Sequence, residues 1–536
     1  MVFTDEAPPL VNNGWMGSRI RPKEHHMTSD TYVGAIDQGT TGTRFMIFDH
    51  GGEVVAQAYE KHEQIYPEPG WVEHDPVEIW EKTQAVVTEA LDTAGLDAGQ
   101  LEALGITNQR ETTMIWDRDS GSPIYNAIVW QDRRTTDRVE ELEEADKVED
   151  IRAKTGLEAD AYFSATKAEW LLDNADPLKT QRAQPADLRD RAAAGELCFG
   201  TIDTWLIWQL TGNHITDVTN ASRTMLFDIH DMAWDDELQE EFDVPGEMLP
   251  EVRPSSDDDF YGTTDADGFL GAEIPVAGAL GDQQAALFGQ TCFDEGDAKN
   301  TYGTGSFFLL NTGEEAVESD HGLLTTVGFQ RSGEPVQYAL EGAIFVTGAA
   351  IEWLEDVGLI NNAAQTADLA RSVDSTDGVY FVPAFTGLGA PHWDGRARGT
   401  IVGMTRGTGK EHIVRAVLES IAFQTRDVAE AMVADAGLDI NSLKVDGGAV
   451  KNDFLCQQQA DIVGTEIVRP EVDETTALGS AYAAGLAVGY WDDPEELRNN
   501  WRVDREFPAD DDADVDGRYE RWSEAVERSR DWAREA

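Results

Sequence analysis

The chain has 536 residues, 41% of them hydrophobic and including 15 Trp and 20 Phe, which is enough for two buried cores rather than one. Its 102 Asp and Glu against 41 Lys and Arg give a formal charge of −61, distributed along the whole sequence. With no clustered basic stripe, a nucleic-acid-binding role is excluded, and with no apolar run approaching a membrane span or a signal-peptide core, membrane insertion and secretion are not expected.

Such self-repulsion is tolerable where salt is concentrated, since at about 1 M salt the Debye length falls to ~3 Å. The composition therefore points to the cytoplasm of a salt-accumulating organism. Three cysteines, Cys198, Cys292 and Cys456, lie among apolar neighbours without metal-binding or redox spacing. They are expected as buried free thiols in a reducing compartment.

The first 26 residues differ from the rest of the chain: the stretch VNNGWMGSRIRPKEHH is basic, Pro- and Gly-bearing and aperiodic, whereas the chain's pervasive acidity follows Met27. Residues 1–30 are expected to form a disordered extension, with Met27 as the true start; the His25-His26 pair belongs to that tail. Residues 32–48, YVGAIDQGTTGTRFMIF, read as two short buried strands joined by a tight hairpin. Gly39 and Gly42 would let backbone N–H groups approach a phosphate, Thr40, Thr41 and Thr43 add hydroxyls, and Arg44 adds a positive fork. Asp37, ending the first strand, would face a phosphate-bound Mg²⁺. Alone, the segment also fits an ordinary Gly-Thr hairpin. A second copy of the plan, NTYGTGSFFLL at 300–310, changes the balance. Two such hairpins half a chain apart imply two related domains on one nucleotide, an arrangement that resembles the actin, Hsp70 and sugar kinase superfamily.

Between the hairpins, residues 53–59 read as a third strand, and Asp75-Pro76 opens a helix of about 15 residues ending near Gly95. His74 is expected as a loop hydrogen-bonder. An apolar strand at 104–107 runs into Asn108-Gln109-Arg110-Glu111, with a further strand at 114–116. Arg110 beside Glu111 at a buried strand end suits a polyol, whose hydroxyls both donate and accept; a surface ion pair is the alternative, because neighbouring strand residues point to opposite faces. Residues 127–134, AIVWQDRR, read as another apolar strand ending in charge. Asp282 lies between an apolar strand at 274–280 and the helical run QQAALFGQ, and fits either a cleft-facing carboxylate or a helix N-cap.

The runs NQRETT, PIYNAIVWQDRR, YFSATKAEWLLDN, GTIDTWLIWQLTG, TNASRTMLFDIH, GDQQAALFGQ, FTGLGAPHWD, VDGGAVKNDF and TALGSAYAAGLAVGYW resemble, in order, the FGGY carbohydrate kinases, and within them the members that phosphorylate glycerol. The resemblance covers nearly all of 31–495. It implies that Arg110, Glu111, Tyr162, Asp282 and Gln283 hold glycerol, with Trp130 and Phe307 flanking its carbons. Asp282 is implied as general base. ATP would be held by Thr40, Thr41, Gly42, Arg44 and Thr304, with Gly348, Glu352, Gly448 and Asn452 on the nucleoside side and Asp37 as the Mg²⁺ ligand; Asp37, Arg44 and Asp282 form the implied catalytic set. Three residues depart from the family pattern: Gly42 stands where Ser is common, Glu352 where Gln is usual, and Ala161 where Pro is common. A stretch that is Gly-rich and basic in members inhibited by fructose 1,6-bisphosphate is acidic here, at 265–273, so no such inhibition is expected.

The expected fold class is α/β, a two-domain actin/Hsp70/sugar-kinase-like (ribonuclease H-like) fold with the ATP cleft between domains, each built on a mixed five-stranded sheet. Residues 31–290 form the expected N-terminal domain, 291–495 the C-terminal domain, and 496–536 an acidic linker and terminal helix; 173–194 is expected as a surface loop with a short helix. The implied reaction is transfer of the ATP γ-phosphoryl group to glycerol, giving sn-glycerol 3-phosphate, by a homodimer or homotetramer. The alternatives are an FGGY kinase for another polyol or sugar, such as xylulose or gluconate, and a non-catalytic polyol or nucleotide sensor.

Overall fold

Two sheets share one strand plan. The computed structural model describes residues 31–175, 188–510 and 515–533, so the expectations for residues 1–30 and for most of the loop at 173–194 lie outside the described residues. The first sheet is built from β1 (Tyr32–Gln38), β2 (Gly42–Phe48), β3 (Val54–Lys61), β4 (Leu101–Asn108), β5 (Gly262–Thr263) and β6 (Pro275–Gly281), in the order β5-β6-β4-β1-β2-β3. The second contains β7 (Ala298–Tyr302), β8 (Ser306–Gly313), β9 (Leu324–Phe329), β10 (Gln337–Ile344), β11 (Leu443–Gly447), β12 (Ile467–Pro470) and β13 (Val503–Phe507), ordered β9-β10-β8-β7-β11-β12-β13. In each, a hairpin strand pairs in parallel with a later strand and antiparallel with its own return: β1 with β4 and β2, β7 with β11 and β8. The five-stranded core is thus duplicated. One edge strand extends the first sheet and two extend the second.

β1 and β2 are buried nearly throughout, because helices cover both faces of the sheet. On one face lies α1 (Pro76–Ala94), 19 residues long, whose N-cap Asp75 accepts from the Val77 N–H and whose chain leaves through a left-handed Gly95. On the other lies a helix from the far end of the chain, Thr475–Ala487, which packs on β1, β4, β6 and on the helix Asp282–Gly289. Its approach is close: a β-carbon on Gly105 would sit 2.1 Å from the Ser480 carbonyl, and one on Gly479 1.8 Å from that of Ala285. A segment from near the C-terminus thus completes the cover of the N-terminal sheet.

The C-terminal helix, Asp516–Ser529, docks on the helix Lys410–Ala436. Trp522 is buried, stacks on Phe423 with ring centroids 5.4 Å apart, and donates Nε1–H to Asp427 at 2.9 Å. Two sequence expectations need correction. The apolar run at 127–134 is a strand only over Ala127–Ile128, because Asp132 accepts from the Val72 and Arg134 backbone N–H groups and folds the chain into a turn. The stretch expected as linker contains β13, an edge strand exposed at four of its five residues. Its charged composition hides it from hydrophobic patterning while protecting the sheet edge.

Candidate functional site

Asp37, in the last pleat of β1, and Arg110 and Asp282, just beyond β4 and β6, gather at the C-terminal ends of three parallel strands, where ligands of open α/β sheets bind. In the first hairpin Asp37 lies directly opposite Arg44, and the Gly39 N–H closes the turn on the Gly42 carbonyl at 3.0 Å. Burial pushes the Asp37 carboxyl up to about 7; Arg44 opposes this, while Glu474 and Asp282 add to it. Arg44 is ion-paired with Glu474, which precedes the helix crossing from the far end of the chain. Thr41 Oγ1 lies 3.2 Å from the Tyr59 hydroxyl. Gly42 is sterically required, since a β-carbon there would meet the Glu60 carbonyl at 2.4 Å and Tyr59 Oη at 2.7 Å. The Glu60 backbone carbonyl, with the Tyr59 ring beside it, thus excludes serine as well as alanine. Thr40 Oγ1 accepts from Trp130 Nε1 at 3.0 Å, so the hairpin is bonded to the expected polyol wall.

Arg110 and Glu111 are both buried, which removes the surface-pair alternative. They lie beyond the strand, and Glu111 has φ +60, so the alternation that would send them to opposite faces does not operate. Two residues that sequence reasoning missed complete the arrangement. Glu341 of β10 accepts from Arg110 Nη1 at 2.5 Å and Nη2 at 3.1 Å, and from Arg223 Nη2 at 3.0 Å. Arg223 in turn donates Nε–H to Glu111 at 2.6 Å. Burial opposes ionisation of both carboxyls, yet two arginines hold Glu341 down at about 2, whereas in Glu111 burial prevails and the pKa is raised. Phe307 lies under the Arg110 guanidinium at 5.7 Å, and Tyr162 packs edge-on to Trp130 at 5.6 Å. Arg223 sits within TNASRT and Glu341 within YALEG; for Glu341 a lone charge in an otherwise apolar strand was the available signal.

Asp282 begins its helix after an N-cap at Gly281, so it is not the cap. Its Oδ1 accepts from the Gln283 N–H at 2.7 Å and lies 3.2 Å from Arg110 Nε. Burial raises its pKa against the pull of Arg110 and Lys299. Lys299, also missed from sequence, is buried in β7 and donates to Gln283 Oε1 at 2.6 Å and Thr301 Oγ1 at 3.1 Å; burial lowers its ammonium to about 8. Gln283 is thereby fixed with its amide nitrogen free to face a ligand.

On the second hairpin the Gly303 N–H bonds the Gly305 carbonyl at 2.8 Å, repeating the closure of the first. Thr304 is exposed, and its carbonyl accepts from the Thr347 and Ala349 N–H groups at 2.9 and 3.1 Å. Gly348 begins the helix Gly348–Asp356 beside it; a β-carbon there would meet the Gly303 carbonyl at 2.5 Å. Glu352 is exposed on that helix, and Gly448 is exposed with open space around it. Gly447, with φ +93, is the glycine that permits close packing, against the Tyr302 carbonyl. Asn452 caps the helix Asp453–Val463, accepting from the Phe454 and Leu455 N–H groups and donating to Thr366 at 3.0 Å. Its amide is committed to holding that loop. His74 bonds Gln64 at 3.0 Å and Gln109 at 3.3 Å, but it does so from a two-residue strand, Glu73–His74, paired with Ala127–Ile128, rather than from the expected loop. The three cysteines are free and buried.

Two family models match the chain: the N-terminal domain of the FGGY family of carbohydrate kinases over residues 32–289 and its C-terminal domain over 298–488. The sequence is 79% identical to the glycerol kinase of Haloferax volcanii over 95% of this chain and all of that one, and 77% identical to that of Haloarcula marismortui with the same coverage. Among solved structures, Plasmodium falciparum glycerol kinase with ADP superposes with a TM-score of 0.87 at 38% identity, covering 93% of this chain and 98% of that one.

Proposed function

The chain belongs to the FGGY family of carbohydrate kinases, and from that premise we infer that it transfers the γ-phosphoryl group of ATP to glycerol, giving sn-glycerol 3-phosphate and ADP. The observation that carries this reading is the convergence of Arg110, Glu111 and Asp282 in one ionic cluster, the first two buried and Asp282 with 32% of its side chain exposed, in a chain similar to glycerol kinases over 95% of its length. Arg110 and Gln283 donate to hydroxyls, Glu111 and Asp282 accept from them, and Trp130, Tyr162 and Phe307 cover the carbon edge. Asp282 takes the proton of the terminal hydroxyl as that oxygen forms its bond to the γ-phosphorus and the bond to the β-phosphate oxygen breaks. Its raised pKa suits a base that must hold this proton.

Thr40, Thr41, Gly42 and Arg44 from the first hairpin and Thr304 from the second cradle the phosphates. Gly348, Glu352, Gly448 and Asn452 shape the nucleoside side. Arg44 is paired with Glu474, so phosphate oxygens compete with that carboxylate for the guanidinium. Asp37 fits Mg²⁺: burial drives its carboxyl towards neutrality, a state that a cation reverses. Among the described residues no three carboxylate, His or Cys side chains gather as a cage, which suits an ion that keeps mostly water and phosphate ligands. The ion would supply charge neutralisation on the β- and γ-phosphate oxygens. We place the protein in the cytoplasm of a salt-accumulating cell, on its composition, its free cysteines and its haloarchaeal relatives. A homodimer or homotetramer is the assembly to be read by light scattering.

The deciding experiment measures ADP release in molar KCl with ATP and Mg²⁺, comparing glycerol with dihydroxyacetone, xylulose and gluconate. Glycerol-dependent release that falls by about 10²–10⁴ in Asp282→Asn is expected. Turnover with xylulose or gluconate but not glycerol would replace the substrate.

A further inference from the structure

Arg110 has five N–H donors, and most are spoken for. Nη1 donates to Glu341 at 2.5 Å and to Gln284 at 3.2 Å; Nη2 donates once, to the other oxygen of Glu341 at 3.1 Å. What remains for a substrate is the second Nη2–H and the Nε edge, which looks towards Asp282 at 3.2 Å. Glu341 also binds Arg223, whose 2.6 Å contact with Glu111 is closer than that of Arg110 at 3.8 Å. This carboxylate comes from the second sheet, whereas both arginines belong to the N-terminal half, and it touches neither phosphate hairpin turn.

We propose that Glu341 is a positioning residue for the polyol: by clamping Arg110 and Arg223 together from behind, it selects which donor edge of Arg110 faces the hydroxyls and keeps that guanidinium from collapsing onto the base. The inference rests on the reading of the site as a polyol kinase and deepens it. With Glu341 neutral, the nearest carboxylates left to Arg110 are Asp282 at 3.2 Å and Glu111 at 3.8 Å, the two groups that must instead accept from substrate. A clamp from a second sheet also ties donor geometry to the packing of the two halves, so substrate affinity depends on a residue that never meets substrate.

The test is Glu341→Gln, nearly isosteric and uncharged, in molar KCl. The KM for glycerol is expected to rise about 10- to 100-fold, the range of a lost charge-assisted bidentate pair, with the KM for ATP within about twofold of wild type. The glycerol-induced rise in Tm, measured without nucleotide, should shrink in parallel. Glu341→Asp keeps the charge one methylene further back and should give a smaller rise with the same selectivity; it decides the matter if the Gln variant does not fold. A fall in kcat with the glycerol KM unchanged, or equal rises in both KM values, would overturn the proposal. Wild-type turnover on glycerol separates the two readings: if it is present and the variants are normal, the clamp fails and the function stands, whereas wild type that neither turns over nor is stabilised by glycerol refutes both.

Discussion

Asp37→Asn should make the nucleotide-free protein more stable above neutral pH. Burial has moved this carboxyl from 3.8 to about 7, against the pull of Arg44. Each unit corresponds to about 1.4 kcal/mol, so some 4 kcal/mol is the ceiling, and water at a partly exposed carboxyl reduces it to roughly 1–2 kcal/mol. The sign follows from linkage. An acid whose folded pKa lies above its unfolded value binds its proton more tightly when folded, so the penalty is absent below about pH 4, grows as pH rises to about 7, and is constant beyond. Asparagine carries no such penalty. Thermal melts in molar KCl should therefore show the variant a few degrees above wild type at pH 8 and closer to it at pH 5.5. Saturating ATP and Mg²⁺ should reverse the order, because wild type alone gains the ion. A variant less stable than wild type at pH 8, or a difference that does not change with pH, would refute the reasoning.

Gly42→Ala forces a β-carbon into the Glu60 carbonyl 2.4 Å away. It should cost about 1–3 kcal/mol in a denaturant titration and raise the KM for ATP, and removing the Tyr59 ring should not restore stability because the backbone clash persists. Trp522→Ala empties a buried site stacked on Phe423 and leaves the Asp427 oxygen at 2.9 Å without that donor. A loss of about 3–5 kcal/mol is expected by denaturant unfolding, with the glycerol KM unaffected.

The duplicated hairpins were legible because each concentrates three signals in a dozen residues: apolar runs, glycines and hydroxyls. Helix α1 was legible from Asp75-Pro76, and its observed end at Gly95 agrees. Residues 127–134 were misread because side-chain chemistry at Asp132 overrides an apolar pattern, and β13 was unread because its charges serve the edge rather than the core. Within the site, Arg110, Glu111 and Asp282 stood out through their motifs, whereas Arg223, Lys299 and Glu341 did not. Those three act on other side chains across the chain, and one-dimensional spacing carries no trace of such partners. Gly42 was read as a missing hydroxyl; its reason lies on the neighbouring strand, in the Glu60 carbonyl and the Tyr59 ring.

The indole of Trp130 donates to the hydroxyl of Thr40, and under the proposed assignment of Trp130 to the polyol and Thr40 to the nucleotide that single bond would link the two ligands. If polyol contact steadies the indole, the hairpin it holds is steadied for nucleotide. Detailed balance then fixes the converse: whatever factor glycerol applies to the equilibrium affinity for ATP, ATP must apply to glycerol. Cutting the bond with Thr40→Val would loosen both sides of that cycle equally, so calorimetric titrations of each substrate, with and without the other, should lose the same factor.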